Sequence, residues 1–222
     1  MPAWLSYRPE DFLLFSERAY WRLFELSNQA VWPLQIATLL LATAILVAIL
    51  RPTPWSDRAI AALMAVAWIW VGLRFLGLYY GDINWMATYA IPLFVAEGLL
   101  LAWFGFVRNR TRFAVHCQVP CLLGLTLFAC ALALHPVFAV AAGRSLSSAE
   151  VIGIAPDPTA IATLGLLCLV RQGRLAWLLL FVPLLWCLVS TTTLLTMGAA
   201  EGWVTLTAVI LALAARLWPR GA

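Results

Sequence analysis

The sequence contains no lysine, so all 14 of its basic residues are arginine. Charged residues make up only 11% of the 222 residues, and there are just two histidines. Nucleic-acid binding is excluded as a function, because no hydrophilic segment carries a basic run interleaved with aromatic residues. The glycine-rich phosphate loop, the histidine pair of zinc proteases and the residue order of a hydrolase triad are also absent. The sequence therefore identifies neither a reaction nor a cofactor.

The cysteines and histidines offer one weak metal site. The five cysteines, at positions 117, 121, 130, 168 and 187, all lie in apolar stretches, which argues against a disulfide framework. His116, Cys117, Cys121 and Cys168 are candidate ligands, because thiolate and imidazole groups bind soft metals. The alternative is that these cysteines are small apolar fillers. His135 lies about 29 Å from His116 along one predicted helix, so a bis-histidine haem lacks a second ligand, while a single-ligand haem or chlorophyll stays open.

Long apolar runs dominate what is present, since hydrophobic residues make up 64% of the chain. About 20 helical residues cross a hydrocarbon core roughly 30 Å thick. Seven segments qualify, and they cover residues 31–50, 59–80, 84–107, 113–140, 152–170, 175–198 and 202–218. The loops between them are short. Residues 31–222 are therefore predicted to form one all-α domain, a polytopic membrane bundle of seven transmembrane helices.

The arginines alternate between the two sides of this bundle. One side holds nine of them against a single acid, Asp57: Arg51, Arg58, Arg108, Arg110, Arg112, Arg171, Arg174, Arg216 and Arg220. The other side holds four arginines against eight acids. Short arginine-rich loops stay in the cytoplasm, so we expect an outside amino terminus and a cytoplasmic carboxyl terminus. Exclusive use of arginine is typical of GC-rich bacterial genomes, which favours the bacterial inner membrane.

Residues 1–30 differ from the rest and predict an amphipathic helix. Pro9 suits the first turn of a helix, and the acids that follow it complement the helix dipole. Apolar residues recur at helical spacing from there on: Phe12, Phe15, Ala19, Leu23 and Leu26. We interpret this segment as an interfacial helix on the outer membrane surface that ends near Asn28. The alternative is a solvated helix that packs on the loops.

The fifth segment is interrupted by the run Ala155-Pro156-Asp157-Pro158-Thr159. Two prolines around an aspartate cannot continue a helix, whereas Asp157 suits the N-cap of a helix that starts at Pro158. From there to Val170 the helix is about 20 Å long, too short to cross the core. An irregular segment buried in protein or lining a cavity should therefore precede it, as in the broken helices of transporters. The alternative is a loop that enters late, with Asp157 capping at the interface.

Two further charges lie within predicted spans, Arg74 in the second and Glu97 in the third. Such charges are costly and are normally paired or face a cavity. A structural ion pair of Arg74 with Glu97 or with Asp157 is the simplest interpretation. An unpaired Glu97 would instead be a candidate site for a proton or a cation.

Polar side chains from four segments fall at one depth in the outer half, which predicts an outward-facing polar cavity. The alternative is that these hydroxyl groups only bond carbonyls of their own helices or link neighbouring helices. The ligand-binding residues expected in this cavity are Arg74, Tyr89, Glu97, Asp157, Thr159, Thr163, Ser190 and Thr192.

Several stretches resemble an uncharacterised family of bacterial polytopic membrane proteins. They are Asp11–Phe15, the run Tyr20-Trp21-Arg22-Leu23-Phe24-Glu25-Leu26 with Asn28 and Ala30-Val31-Trp32-Pro33, then Ile83-Asn84-Trp85, and Pro158-Thr159 with Thr163-Leu164-Gly165. The resemblance covers most of the chain and implies the same multi-helix fold but no activity. Members of that family have a small residue or a cysteine before the Pro-Thr pair, where this chain has Asp157. The departure counts against a metal site shared by the family.

The sequence is compatible with three functions, of which a membrane enzyme is the least favoured. The first is a non-catalytic integral membrane protein that binds or permeates a small solute or ion through the outward-facing cavity. The second is a structural or accessory subunit of a larger respiratory, photosynthetic or transport complex. Its tryptophan-rich surface and outer helix would then contact partner subunits, lipid or pigment.

Overall fold

The structure is a computed structural model that describes residues 13, 15–113, 115, 119–170 and 173–218. Within these residues the regular elements are all helices, apart from an isolated antiparallel bridge between Phe113 and Val170. The longer helices are α1 (Glu17–Val31), α2 (Leu34–Leu50), α3 (Ser56–Ile83), α4 (Trp85–Val107), α5 (Val119–Ala141), α6 (Pro156–Leu169), α7 (Arg174–Thr196) and α8 (Gly202–Leu217). The predicted all-α architecture is confirmed.

Four of these helices, α3, α4, α5 and α7, are long and apolar enough to cross a membrane. The pair α1 and α2, bent by 91° at its junction, is a fifth candidate. Helices α6 and α8 are apolar but shorter, with 14 and 16 residues. Each of the seven predicted segments contains a helix. Residues 152–155 of the fifth segment are not helical, as the predicted irregular segment requires. In the fourth segment residues 113 and 115 lie outside the helix, and the described part of that helix begins at Val119.

The long helices change their winding where sequence and packing require it. Helix α4 begins with a 3₁₀ stretch, and α3, α4 and α5 each contain a π-helical stretch. In α5 the π-helical stretch Cys130–Leu134 stops just before Pro136. Proline lacks an N–H group, and its ring clashes with the carbonyl four residues earlier, so a wider turn at this point relieves the contact.

Helix α1 starts later than the sequence predicted. It begins at Glu17 because Ser16 is an effective N-cap, whose Oγ accepts a hydrogen bond of 3.2 Å from the Ala19 amide. The predicted start at Pro9 and the first apolar residue, Phe12, lie outside the described residues. The helix ends at Val31, beyond the predicted end near Asn28.

The buried face of α1 also differs from the predicted one. It consists of Tyr20, Trp21, Leu23, Phe24, Ser27 and Asn28, whereas Leu26 is 41% exposed. The reason is aromatic packing: the Tyr20 ring meets the rings of Phe24 and Tyr80 edge-on, and Phe24 contacts Phe75 of α3. Helix α1 thus packs on the end of the bundle through an aromatic face and leaves a mainly polar face exposed.

The right angle between α1 and α2 arises at Trp32-Pro33. Trp32 has φ −58° and ψ 133°, because a residue before proline is driven out of the helical region. Helix α2 then runs beside α3 and contributes only three buried residues, Ala42, Ile45 and Ile49.

Helix α6 is the centre of the molecule. All 14 of its residues are buried, and together with the preceding loop they form an uninterrupted buried stretch from residue 148 to residue 170. A helix that is apolar on every side is stable only when other helices surround it, and α6 contacts α3, α5, α7 and α8. At Gly165 an added Cβ would lie 2.6 Å from the Gly124 carbonyl oxygen, so α5 and α6 touch through their backbones.

The carboxyl end of α6 is held by the last helix. Arg216 of α8 donates a hydrogen bond of 2.9 Å from Nη1 to the carbonyl of Val170, the C-cap residue of α6. A guanidinium group at this position satisfies a carbonyl that the helix leaves free and complements the negative end of its dipole.

Candidate functional site

The loop that leads into α6 is irregular backbone buried inside the protein. At its start the Asn28 side chain donates two hydrogen bonds of 2.8 Å, to the carbonyls of Ser147 and Ala149. At its end Thr159 accepts a 2.8 Å bond from the Gly153 amide and donates to the Ala155 carbonyl at 2.7 Å. The predicted irregular segment before a short helix is confirmed, and it is held by side chains rather than by a regular ladder.

Asp157 does not cap α6, so the predicted N-cap is wrong. The helix starts at Pro156 with Ala155 as its N-cap, which places Asp157 in the first turn. Its carboxylate instead accepts hydrogen bonds from Trp186 Nε1 at 2.7 Å and from Ser190 Oγ at 2.5 Å. Asp157 is 1% exposed. It is thus a fully buried acid near the positive end of a helix dipole, anchored to α7.

Two predicted site residues, Thr159 and Thr163, have roles within the core. Thr163 accepts a 2.8 Å hydrogen bond from Trp68 Nε1 of α3 and donates to the Thr159 carbonyl at 2.7 Å. Both threonines are essentially unexposed. Their hydroxyl groups are therefore engaged in linking α3 to α6 and in holding the loop, as the alternative interpretation of the polar set expected.

A cavity of about 360 Å³ lies between α4 and α7, beside the end of α3. Its walls are mainly apolar, and its polar groups come from Tyr80, Asn84, Tyr89 and Thr193. It is therefore less polar than the sequence predicted, because most hydroxyl groups of α6 and α7 turn toward backbone carbonyls.

Trp186 separates this cavity from Asp157. One side of its indole lines the cavity, where it meets the ring of Phe94 edge-on at a centroid distance of 4.9 Å. Its Nε1 donates to Asp157 behind that wall. Trp186 is not among the site residues that the sequence predicted. Its spacing of four residues from Ser190, which places both on one helix face, is the signal that could have linked it to the site.

The structure thus brings only part of the predicted set together. Asp157 and Ser190 are in contact, and Tyr89 lines the cavity mouth with 68% exposure. Thr192 is exposed and donates to the carbonyl of Val189 in its own helix, so it is not in the cavity.

The predicted ion pair of Arg74 is wrong. Within the part of the chain that the structure describes, Arg74 contacts neither Glu97 nor Asp157 as an ion pair. Its guanidinium lies 5.8 Å from the ring centroid of Trp70 and 5.4 Å from that of Tyr79, whose hydroxyl accepts a 3.1 Å bond from Nη2. This half-buried side chain is stabilised by aromatic faces rather than by carboxylates.

Glu97 is 0% exposed. Neither of its carboxyl oxygens has a hydrogen-bond partner among the described residues. It lies on the buried face of α4, three residues after Phe94. This is the unpaired state that the sequence analysis left open.

A second polar group, which the sequence did not predict, lies where α1 covers the bundle. Arg144 forms an ion pair with Glu201, and its guanidinium packs 3.3 Å from the ring centroid of Trp21. Glu150, 5% exposed, lies beside them at the start of the buried loop. Burial, and then the charge of Asp157, raise the pKa of Glu150 well above its ordinary value of 4.5, while Arg144 opposes the shift.

The described residues do not form a cluster of ligands at the predicted metal or haem site. His116 and Cys117 lie outside the described residues. Among the residues that are described, no group of three or more His, Cys, Asp or Glu side chains is placed to hold a metal ion. His135 is 3% exposed and meets the ring of Phe138 edge-on at 5.6 Å.

The chain belongs to DUF6064, a family of unknown function whose profile matches residues 17–220. This agrees with the expectation of an uncharacterised family. No curated protein and no solved structure matches the chain.

Proposed function

We propose that this member of DUF6064 is an integral protein of the bacterial inner membrane that binds a small molecule in the cavity between α4 and α7. All seven apolar helices, α2 to α8, would cross or enter the bilayer, with α1 on its outer surface. The amino terminus would be periplasmic and the carboxyl terminus cytoplasmic, because the arginine-rich loops lie on one side.

The helix lengths support this arrangement. With 17 and 16 residues, α2 and α8 are about 26 and 24 Å long. Helices of this length can still cross the core when the bilayer thins locally or when flanking side chains extend to the interface. Helix α6, with its buried loop, follows the pattern of a broken span whose irregular backbone is enclosed by protein. Helix α1 lies at 91° to α2, the orientation of a helix in the membrane plane.

One observation carries the proposal: the cavity ends on Trp186, whose other edge is bound to the buried carboxylate of Asp157 at the start of α6. Apolar walls with a few converging polar groups are typical of small-molecule sites. Broken helices with their positive ends near the site are typical of binding sites in transporters. Permeation would require Phe94 and Trp186 to separate, so binding is the function that this conformation supports.

The lining indicates the class of ligand. The walls are aliphatic and aromatic, and the tyrosine, asparagine and threonine groups lie toward one end. A cavity of about 360 Å³ is at the small end of the range for ligand sites. This favours an apolar or amphipathic molecule with one hydrogen-bonding group over a hydrated inorganic ion.

The test is a thermal-shift comparison of purified protein in mild detergent with indole, phenol and medium-chain alcohols as probes. We expect at least one probe to raise Tm in a saturable way. Ala90→Trp places an indole in the cavity and should abolish the shift, because Ala90 lines it. Ala200→Trp, in the exposed turn between α7 and α8, is the matched control and should retain it. A shift that survives Ala90→Trp, or no saturable shift with any probe, would contradict the proposal.

The accessory-subunit function is favoured by one observation, the loose packing of α2. Grooves of about 430 Å³ and 340 Å³ flank this helix, and most of its surface is exposed. A helix of a partner subunit, or a lipid, would fill such grooves. Co-purification of another membrane protein at fixed stoichiometry would support this function, and a solitary monomer in mild detergent would count against it.

A further inference from the structure

We propose that Glu97 is a proton-binding site that exchanges its proton with the cavity past Phe94. The inference rests on the proposed placement of α4 in the membrane and on the cavity, but not on the identity or existence of a cavity ligand.

The first step is the absence of any structural partner for this acid. Glu97 is 0% exposed, and both carboxyl oxygens are buried without a hydrogen bond among the described residues. One residue further on, an added Cβ at Gly98 would lie 2.8 Å from the Ala65 carbonyl oxygen, so α3 and α4 are in tight contact here. At such a contact an apolar side chain would stabilise the packing more than a carboxyl group without a hydrogen-bond partner does.

The second step identifies the ligand as a proton. The charged groups of α3 are engaged elsewhere or exposed. Arg74 packs on Tyr79, and Arg58 lies over the ring of Trp55. Asp57 accepts from the Phe113 amide, and Asp82 is exposed at the far end of the helix. Asp157 is bound to α7. An ionised carboxylate without a counter-charge is strongly disfavoured in this environment, whereas the neutral acid is tolerated. A metal cation would need several further oxygen ligands, and no cluster of candidate ligand residues occurs within the described chain.

The third step is the route. Phe94 lines the cavity and precedes Glu97 by three residues, so the two side chains are neighbours on one face of α4. The Phe94 ring is held between Trp68, at a centroid distance of 4.5 Å, and Trp186, at 4.9 Å. Displacement of this ring connects the cavity to the carboxyl group. Because Trp186 is bound to Asp157, the position of that ring depends on the start of α6.

The experiment is infrared spectroscopy of the full-length protein in lipid, without any added ligand. The spectrum of wild type minus that of Glu97→Gln should contain the C=O stretch of a protonated carboxylic acid at neutral pH. Transfer to D₂O should shift this band at a measurable rate, and Phe94→Ala should raise that rate at least tenfold. Glu25→Gln, which removes a partly buried acid of α1 paired with Arg22, is the matched control and should leave the band unchanged.

Each outcome is decisive. Absence of the acid band from the difference spectrum means that Glu97 is ionised and overturns the proposal. A band that does not exchange in D₂O, or one whose rate is unaffected by Phe94→Ala, overturns the exchange route. Circular dichroism of the variants in the same lipid establishes that they are folded. Because no cavity probe is used, failure here is distinct from failure of the thermal-shift test.

Discussion

Asp157 and Ser190 show how one buried acid can join two helices. The carboxylate accepts from both Trp186 and Ser190, so each donor offsets part of its desolvation cost. An acid held by two donors is worth more to the fold than an N-cap, because it links α6 to α7 instead of stabilising α6 alone.

Ser190→Ala should therefore lower the free energy of unfolding by about 1–3 kcal/mol, since one carboxylate oxygen is left buried without a donor. Thr192→Ala, two residues away, should change it by less than about 0.5 kcal/mol, because the hydroxyl group is exposed and bonds only its own helix. Reversible denaturation of both variants in the same detergent measures the difference. Equal effects would show that the bond to Asp157 adds no stability.

At this scale, residue type was predictable from the sequence but residue orientation was not. The sequence indicated that Asp157 and Glu97 are important because charges within apolar segments are costly. It did not predict that Arg74 contacts Trp70 and Tyr79 instead of pairing with either acid. That depends on the rotation of α3, whose π-helical stretch from Val71 to Tyr80 includes Arg74 itself. A change in helical winding is not visible in the pattern of apolar residues.

At the scale of elements, the contact between α5 and α6 depends on two glycines that face each other. A methyl group at Gly165 would lie 2.6 Å from the Gly124 carbonyl oxygen and 2.8 Å from the Phe128 amide nitrogen. These are backbone atoms, which cannot move without separating the helices.

Gly165→Ala should destabilise the protein by about 1–3 kcal/mol through overpacking. Gly77→Ala in α3 is the matched control, because its nearest contact is an ordinary 3.6 Å, and it should be neutral or stabilise by up to about 1 kcal/mol. Thermal unfolding followed by circular dichroism tests the pair. A neutral Gly165→Ala would mean that α5 and α6 are further apart than described.

The predicted elements succeeded where strong local signals existed. The prolines on either side of Asp157 lie in the first turn of α6, where proline is tolerated, and they mark the start of this short helix after the irregular loop. Helix α1 begins later than the predicted continuous helix because Ser16 caps it at Glu17. The predicted start near residue 9 lies outside the described residues. The position and polarity of the cavity could not be predicted from the sequence, because they depend on how α4 and α7 approach each other at Phe94 and Trp186.

At the scale of the whole molecule, the arrangement of arginines predicts which side faces the cytoplasm. In a variant with every cysteine replaced by alanine, a cysteine at Ala200 should react with a membrane-impermeant maleimide in intact spheroplasts. A cysteine at Arg110 should react only after lysis, because arginine-rich loops are retained inside. Both positions are exposed, so accessibility does not distinguish them. The reverse labelling pattern would show that the topology is inverted and that the cavity opens to the cytoplasm.

The enclosure of α6 has a consequence for biogenesis. The chain from residue 148 to residue 170 has no surface of its own to offer to lipid, and Arg216 of the last helix binds its final carbonyl. During synthesis this segment therefore emerges before two of the helices that surround it, α7 and α8, exist. In the proposed membrane placement, we expect it to stay beside the translocon or a chaperone until α7 and α8 arrive, so that the centre of the molecule is completed last.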